Sequence, residues 1–297
     1  MIKRLYILVF ALLALGSVQA HKFVLATYNI RLLNDGDAKQ GDGWQQRYPY
    51  ICNLIRFHGF DIFGTEEGFL SQLQDMKANL PGYDFIGVGR DDGKEKGEHS
   101  AIFYDTSKFE VLEHGDFWLS PTPDRPGLGW DAACVRICTW GVFKLKGTKF
   151  KFVYYNLHMD HIGVVARAES AKMILRRIQN DPHKLPAILS GDFNIDQDNE
   201  GFKLIDNSGI LNDAYRIAKF RYINMSTFNN FHPEGLGFDN RIDHIFLTKE
   251  FTVEKYGVLT DVYRTETTDA NGKVVARAHT PSDHFPVMVV LETGKKK

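Results

Sequence analysis

The feature that most constrains the fold is a short apolar run, residues 185–189, that leads into Ser190-Gly191-Asp192-Phe193-Asn194. An apolar run of this length bounded by glycine predicts a buried β-strand. Open α/β sheets commonly present reacting groups to a cleft at the carboxyl ends of such strands. In extended backbone Asp192 and Asn194 point to one side while Phe193 points to the other. We therefore expect Asp192 and Asn194 in a cleft and Phe193 in the core.

Two structural explanations compete with a functional one. The spacing of acidic and amide residues from Asp192 to Asp198 imitates the start of an EF-hand calcium loop. That loop is excluded, because Gln197 stands where it requires Gly and Lys203 where it requires Glu. An ordinary turn, in which Asp192 and Asn194 cap the next segment, stays open on this stretch alone.

Polar side chains mark the ends or entrances of several other predicted strands. The predicted strands cover residues 23–28, 61–65, 100–104, 109–112, 135–145, 149–157, 241–247, 251–262 and 285–291. The associated polar residues are Asn29, Glu66, Glu67, His158, Asp243, Asp283 and His284. Each has a structural alternative: acidic residues favour the start of a helix, and an Asp-His dipeptide can cap a turn.

The order of the elements predicts a mixed sheet. Apolar spacing indicates helices over residues 44–58, 70–80 and 166–179, and a mostly helical segment over 199–223. Tight turns after residues 104 and 145 join successive strands, which favours antiparallel pairing. Residues 90–98 and the segment after residue 263 are predicted to be polar loops, and residues 224–240 a long loop of the kind that often binds ligands.

Charge and composition narrow the possible substrates. The formal net charge is -1, with 43% hydrophobic and 25% charged residues, which is typical of a globular protein with a substantial core. Sequence-blind binding of a long polyanion would require clustered Lys and Arg. The balance therefore favours a small substrate over a long nucleic acid, and no stable protein partner is evident.

The amino terminus predicts export. Residues 1–20 combine a basic start, an apolar run and Val18-Gln19-Ala20 before His21, a pattern typical of a cleaved secretory signal peptide. A retained membrane anchor is the alternative, but no stop-transfer flank follows. We expect a secreted or periplasmic protein whose mature chain, residues 21–297, is a single domain without a membrane span.

Taken in order, seven segments resemble the endonuclease/exonuclease/phosphatase superfamily, whose fold is that of deoxyribonuclease I. They read TYNIR, GTEEG, SAIFY, NLHMDH, SGDFN, RIDHIF and SDHFPV. Residues 117–140 look like those of exported bacterial members. The resemblance implies an α/β (α+β) four-layered sandwich, in which two mixed sheets pack face to face with helices outside.

The resemblance also implies hydrolysis of phosphoesters with Mg²⁺ or Mn²⁺. Glu67 corresponds to the metal-binding glutamate of a Gln-Glu pair in which this chain has Glu66, and Asp283 is a second candidate ligand. Hard cations of this kind prefer oxygen ligands and neutralise charge on phosphoryl oxygens.

The remaining roles transfer to the other strand-end residues. Asp192 resembles the base that orients and deprotonates water, with Asn29 and Asn194 as hydrogen-bond donors. His284 resembles the phosphate-contacting histidine, whose second ring nitrogen pairs with Asp243. His158 resembles the second histidine of the deoxyribonuclease I, deadenylase and sphingomyelinase branches, a candidate acid for the leaving group.

Arg136 is a candidate phosphate contact, with a structural salt bridge at a strand edge as the alternative. The prediction is thus a secreted metal-dependent phosphoester hydrolase, either phosphodiesterase or phosphatase, acting on a small molecule or a lipid headgroup. The alternatives are a nuclease acting on DNA or RNA, and a non-catalytic binding module on the same scaffold.

Overall fold

The computed structural model describes residues 20–222, 225–232, 240–268 and 271–293. Residues 1–19 of the predicted signal peptide, and residues 224 and 233–239 of the predicted 224–240 loop, therefore lie outside the described residues. The helices are α1 (Asp35–Gln40), α2 (Trp44–His58), α3 (Leu70–Asn79), α4 (Val164–Gln179), α5 (Glu200–Asp206) and α6 (Ala214–Ile217). Within the described ranges, none of these helices is long and apolar enough to cross a membrane.

The first sheet contains the amino-terminal and carboxyl-terminal strands of the described chain. Its strands are β1 (His21–Asn29), β2 (Ile62–Glu66), β3 (Tyr83–Ile86), β4 (Ile102–Asp105), β10 (Phe220–Tyr222), β12 (Phe251–Val258) and β15 (Val287–Thr293). They are arranged in the order β10-β12-β15-β1-β2-β4-β3. β1 pairs in parallel with β2 and antiparallel with β15, so the sheet is mixed, as predicted.

The second sheet is built from the middle of the chain. Its strands are β5 (Phe109–Trp118), β6 (Ile137–Leu145), β7 (Lys151–His158), β8 (Ala187–Asp192), β9 (Asn212–Asp213) and β11 (Asp243–Leu247). They are arranged in the order β5-β6-β7-β8-β11-β9. β7 and β8 are parallel, whereas β8 and β11 are antiparallel. A separate hairpin pairs β13 (Tyr263–Thr268) with β14 (Val274–His279).

The two sheets pack face to face through aromatic side chains. Phe23 of the first sheet stacks on Phe152 of the second with ring centroids 5.6 Å apart, and Phe109 meets Phe23 edge to face at 5.5 Å. On the outer face of the first sheet, α2 and α3 bury residues such as Ile51 and Leu73. α4 and α5 cover the second sheet. Four layers result, which confirms the predicted sandwich.

Three local predictions differ from the structure. β4 and β5 are joined by a tight turn but lie in different sheets, so their sequence proximity does not lead to pairing. The segment 199–223 was predicted to be mostly helical, but its described residues, 199–222, contain only the short helices α5 and α6, separated and followed by the short strands β9 and β10. The segment after residue 263 was predicted to be a loop, but it forms the β13–β14 hairpin. The hairpin is held by backbone hydrogen bonds, and most of its side chains are exposed.

Candidate active site

Strand register brings three predicted site residues into a row at one end of the second sheet. His158 is paired with Asp192 across β7 and β8, and Asp243 is paired with Asp192 across β11 and β8. Gly191 makes this close approach possible, because a Cβ atom there would lie 1.8 Å from the carbonyl oxygen of Leu157. The row is therefore fixed by the backbone before any side-chain contact is considered.

The first sheet contributes Asn29 and Glu67 at the ends of two parallel strands. β2 ends at Glu66, whose side chain is fully buried and accepts a hydrogen bond from Thr27 Oγ1 at 3.1 Å. Glu67 follows with a positive φ of 65°, which turns its side chain out of the strand alternation and into the cleft. Its Oε1 accepts from Asn29 Nδ2 at 3.0 Å and its Oε2 from Leu32 N at 3.1 Å. Of the adjacent pair, only Glu67 faces the cleft.

Asp192 of the second sheet is hydrogen-bonded to a residue of the first sheet. Its Oδ2 accepts from Asn29 Nδ2 at 3.0 Å, a bond between residues 163 positions apart in the chain. Its Oδ1 accepts from Asn194 N at 2.9 Å. Burial, followed by the charge of Asp243, raises the pKa of Asp192 to about 7. A carboxyl group with a pKa near neutrality is suited to accepting a proton from water.

His284 faces Asp192 and is oriented by Asp243. His284 Nδ1 lies 2.9 Å from Asp243 Oδ2, and His284 Nε2 lies 3.7 Å from Asp192 Oδ2. Burial alone would lower the pKa of His284, but the charge of Asp243 and the hydrogen bond to it outweigh burial and raise the pKa well above its usual value. The ring is therefore an imidazolium near neutral pH, with one N–H directed into the cleft.

His158 and Asn194 form the other side of the Asp192 environment. Asn194 adopts a positive φ of 52°, so the extended backbone predicted through residue 194 ends at Asp192. Asn194 Nδ2 lies 3.0 Å from His158 Nε2, which is itself 3.5 Å from Asp192 Oδ2. Burial, then the charges of Arg136 and Arg90, lowers the pKa of His158 well below its usual value. This ring is neutral near pH 7.

Asp283, the second candidate metal ligand, lines the cleft. Its Oδ2 is 3.4 Å from Arg31 Nη1, and its pKa is raised by burial and, more weakly, by the nearby Glu67 carboxylate, against the opposing charges of His284 and Arg31. Arg31 also pairs with Asp37 through Nε at 2.9 Å. Arg31 thus pairs with two carboxylates, those of Asp283 and Asp37.

Arg136 lines the same cleft from the loop before β6. Its Nε lies 3.5 Å from Asp160 Oδ2 and its Nη2 lies 3.1 Å from His161 Nδ1. The Asp160 carboxylate already accepts four backbone N–H bonds, from residues 133, 134, 162 and 163. Arg136 therefore has a long contact to an otherwise satisfied carboxylate, which leaves its guanidinium group available to an anion.

All nine predicted site residues lie in or directly beneath one cleft of about 510 Å³. Asn29 and Asp243 support its floor through their bonds to Asp192 and His284. The cleft also contains residues that the sequence analysis did not select: Arg31, Leu32, Arg90, Glu98, Cys134, His161, Phe228 and Ile242. Residues 90–98 were predicted to be an exposed loop, but Arg90 and Glu98 are a mostly buried pair in the cleft. Only the alternation of charges within that loop could have indicated the pair.

Among the predicted site residues that the structure describes, two donor sets could hold a divalent cation. Asp192, Asp243 and His284 present ligand atoms within 4.8 Å of one another. However, His284 has already committed Nδ1 to Asp243 and its raised pKa disfavours a free nitrogen lone pair. Glu67 and Asp283 are hard oxygen donors whose like charges are close enough to interact. A cation such as Mg²⁺ suits these two carboxylates better.

Comparisons with known proteins identify the family and the fold of this chain. The model of the Endonuclease/Exonuclease/phosphatase family matches residues 26–284. A family protein from Bacteroides thetaiotaomicron is 53% identical, with a TM-score of 0.88 over 93% of this chain and 99% of that one. A mannosyl-6-phosphatase from the same organism is 54% identical, with a TM-score of 0.86 over 91% and 99%.

A more distant structure shares the fold alone. The human Nocturnin catalytic domain with bound sulfate is 17% identical, with a TM-score of 0.65 over 91% of this chain and 93% of that one. The family match covers most of the chain and includes every strand end that contributes to the cleft. The chain therefore belongs to the endonuclease/exonuclease/phosphatase family and has its deoxyribonuclease I-like fold.

Proposed function

We propose that this protein is a divalent-metal-dependent phosphatase that removes the phosphate group from a small phosphomonoester. The main support is the convergence on Asp192 Oδ2 of Asn29 at 3.0 Å, His158 at 3.5 Å and His284 at 3.7 Å, beside the Glu67 carboxylate. This arrangement surrounds a base with donors for phosphoryl oxygens. The mannosyl-6-phosphatase, at 54% identity, supports a monoester substrate.

The attack on phosphorus begins with a water molecule oriented by Asp192. Asp192 accepts the proton of that water as the new P–O bond forms in line with the departing oxygen. Asn29 holds Asp192 in position through its Nδ2, while the backbone N–H of Asn194 donates to the second carboxylate oxygen. The base therefore has one orientation before substrate arrives.

His284 and Arg136 stabilise the phosphoryl oxygens. The imidazolium N–H of His284 and the guanidinium group of Arg136 are fixed donors in a mostly buried site, where such contacts are stronger than in water. A cation held by Glu67 and Asp283 would neutralise further charge on the phosphoryl group. A phosphomonoester carries more negative charge than a diester, so this accumulation of positive charge favours the monoester.

His158 receives a different role from the one that the family resemblance implied. A neutral imidazole cannot act as a cationic acid, and Nε2 of His158 contacts Asn194 and Asp192. We therefore assign it to positioning Asn194 and Asp192. In-line attack places Asp192 on the opposite side of phosphorus from the leaving oxygen, so protonation of that oxygen is left to solvent.

The test compares phosphomonoester and phosphodiester substrates. We expect hydrolysis of 4-nitrophenyl phosphate and hexose 6-phosphates with MgCl₂, weak hydrolysis of bis(4-nitrophenyl) phosphate, and little of either after EDTA treatment. Asp192→Ala should lower kcat by about 100-fold to 10,000-fold. Asp213→Asn is a matched control, since Asp213 is also a buried carboxylate of the second sheet but does not line the cleft.

The outcomes separate the competing functions. Preferential cleavage of the diester or of DNA or RNA would favour the phosphodiesterase or nuclease alternative. Activity on no phosphoester, with Asp192→Ala indistinguishable from wild type, would favour a non-catalytic binding module. Export is a further part of the proposal, supported by the pattern of residues 1–20; amino-terminal sequencing of the mature protein should give His21.

A further inference from the structure

Beyond the residues assigned to the phosphate, the cleft has two chemically different kinds of lining. One part is polar and contains the Arg90–Glu98 pair next to Arg136. The lining also includes the apolar residues Leu32, Phe228 and Ile242. The leaving group of a phosphomonoester must occupy this remaining space, because the phosphate is held at the Asp192 end. The lining therefore describes the leaving group.

Arg90 and Glu98 form a rigid two-pronged pair. Arg90 Nη1 donates to Glu98 Oε2 at 2.7 Å, and Arg90 Nη2 donates to Glu98 Oε1 at 2.6 Å. Their side chains are 14% and 13% exposed. The carbonyl oxygen of Arg90 accepts from Trp118 Nε1 at 2.7 Å, and its N–H donates to the Glu98 carbonyl oxygen at 3.0 Å. The pair is thus fixed from the backbone as well as from its side chains.

The pair retains hydrogen-bonding capacity on its exposed edge. A guanidinium group has five N–H donors, and each carboxylate oxygen can accept more than one bond, so the two-bond pairing satisfies only part of both groups. A hydroxyl group both donates and accepts. Neighbouring hydroxyls of a polyol could accept from Arg90 and donate to Glu98, whereas an apolar leaving group would leave these groups unpaired.

Phe228 is an exposed aromatic ring held at the opening above the catalytic histidine. The residue is 42% exposed, and its ring centroid lies 5.1 Å from that of His284 at an interplanar angle of 64°. Its backbone is docked on the segment that carries His284, because Phe285 N donates to the Thr227 carbonyl oxygen at 2.7 Å and Asn229 N donates to the Asp283 carbonyl oxygen at 2.7 Å. The ring is therefore positioned with the site and offers an apolar contact.

We infer that Arg90, Glu98 and Phe228 determine specificity for a polyhydroxylated ring, such as that of a sugar phosphate, as the leaving group. The Arg90–Glu98 pair binds ring hydroxyls, and Phe228 packs on the C–H surface of the ring. Pockets of this composition use a few fixed polar groups for orientation and apolar surface for contact area. The inference rests on the proposed phosphatase function and adds to it the residues that recognise the leaving group.

The test uses two substrates that differ mainly in the hydroxyl groups. Hexose 6-phosphate and cyclohexylmethyl phosphate are both esters of a primary alcohol on a six-membered ring, but only the first has ring hydroxyls. Wild type should favour the hexose ester in kcat/KM by about tenfold or more, the value of one hydrogen bond to a charged group. Glu98→Gln, which disrupts the two-pronged pairing, should remove most of that preference, measured as the ratio of the two kcat/KM values.

Further variants separate recognition from folding. Phe228→Ala should lower kcat/KM for both esters by about tenfold, since both rings lose the same contact. Arg90→Lys keeps the charge but cannot form the fork, so it should resemble Glu98→Gln. Asp206→Asn removes a carboxylate, 15% exposed, that pairs with Arg216 outside the cleft. This variant should leave kcat/KM unchanged for both substrates. Melting temperatures verify that each variant is folded.

The results that overturn the inference differ from those that overturn the proposed function. A wild type without preference between the two esters, or a folded Glu98→Gln that loses both activities equally, refutes recognition by the pair and leaves the phosphatase intact. Failure to cleave either ester or 4-nitrophenyl phosphate with MgCl₂ refutes the phosphatase, and the inference with it.

Discussion

Asp243→Asn tests the electrostatic part of the active site in the sharpest way. The substitution preserves the shape of a fully buried side chain. It removes the negative charge of the Asp243 carboxylate, whose Oδ2 lies 2.9 Å from His284 Nδ1. No hydrogen-bond partner for Asp243 Oδ1 is present in the part of the chain that the structure describes. The change therefore alters the Asp243–His284 bond and also removes the charge that helps to raise the pKa of Asp192.

The expected magnitude follows from the burial of this pair. A hydrogen bond between charged groups contributes about 1.5–3 kcal/mol, and breaking a buried ion pair costs about 3–5 kcal/mol. If about 2–4 kcal/mol of this is expressed in the transition state, kcat falls by about 30-fold to 900-fold. The physical reason is that His284 loses the charge that keeps it protonated, and with it the imidazolium directed at the phosphoryl oxygens.

The assay is steady-state hydrolysis of 4-nitrophenyl phosphate at saturating MgCl₂, with Asp213→Asn as the control. Like Asp243, Asp213 is a buried carboxylate of the second sheet, and its Oδ2 lies 3.7 Å from Arg241 Nη1. Thermal unfolding of both variants separates lost activity from lost folding. A folded Asp243→Asn with the wild-type kcat would show that the charge of His284 does not contribute to the reaction.

Three other predictions concern titration, stability and backbone geometry. In metal-free protein Asp192 should titrate near pH 7, because burial and Asp243 raise its pKa; carbon NMR of the carboxyl groups, with Asp192→Asn for assignment, would reveal a value near 4 if this is incorrect. Burial lowers the pKa of His244 to about 4. Between about pH 4 and about pH 6.5 the unfolded state binds more protons than the folded state does, so the free energy of unfolding should rise with pH by at most about 3 kcal/mol. Urea unfolding at several pH values should show this dependence reduced in His244→Gln, and an unchanged dependence would contradict it. Gly191→Ala should destabilise the protein by about 3 kcal/mol or more, because its Cβ would meet the Leu157 carbonyl oxygen and the φ of 142° disfavours a side chain. Gly209→Ala, with a positive φ but open space around it, should lose much less in the same urea assay.

The local sequence pattern was sufficient to predict elements whose core-facing side chains recur at a regular spacing. The apolar spacing of residues 44–58 predicted α2 with its observed bounds, and Trp44, Ile51 and Leu54 are buried as that spacing requires. The same reasoning failed for residues 199–223 and for the β13–β14 hairpin. In the hairpin most side chains are exposed, so no apolar alternation distinguishes its strands from a polar loop.

The sequence by itself determined which chemical groups stand at the strand ends, because a strand is a local object whose end can be read from a few residues. Only the tertiary structure decided which groups meet. It turned Glu67, and not Glu66, into the cleft through a positive φ, and it brought Asn29 to Asp192 across 163 positions. It also placed Arg90, Glu98 and Phe228 in the cleft lining. The physical reason is that charges interact according to distance and burial, and both are fixed by the packing of the two sheets and the register of their strands.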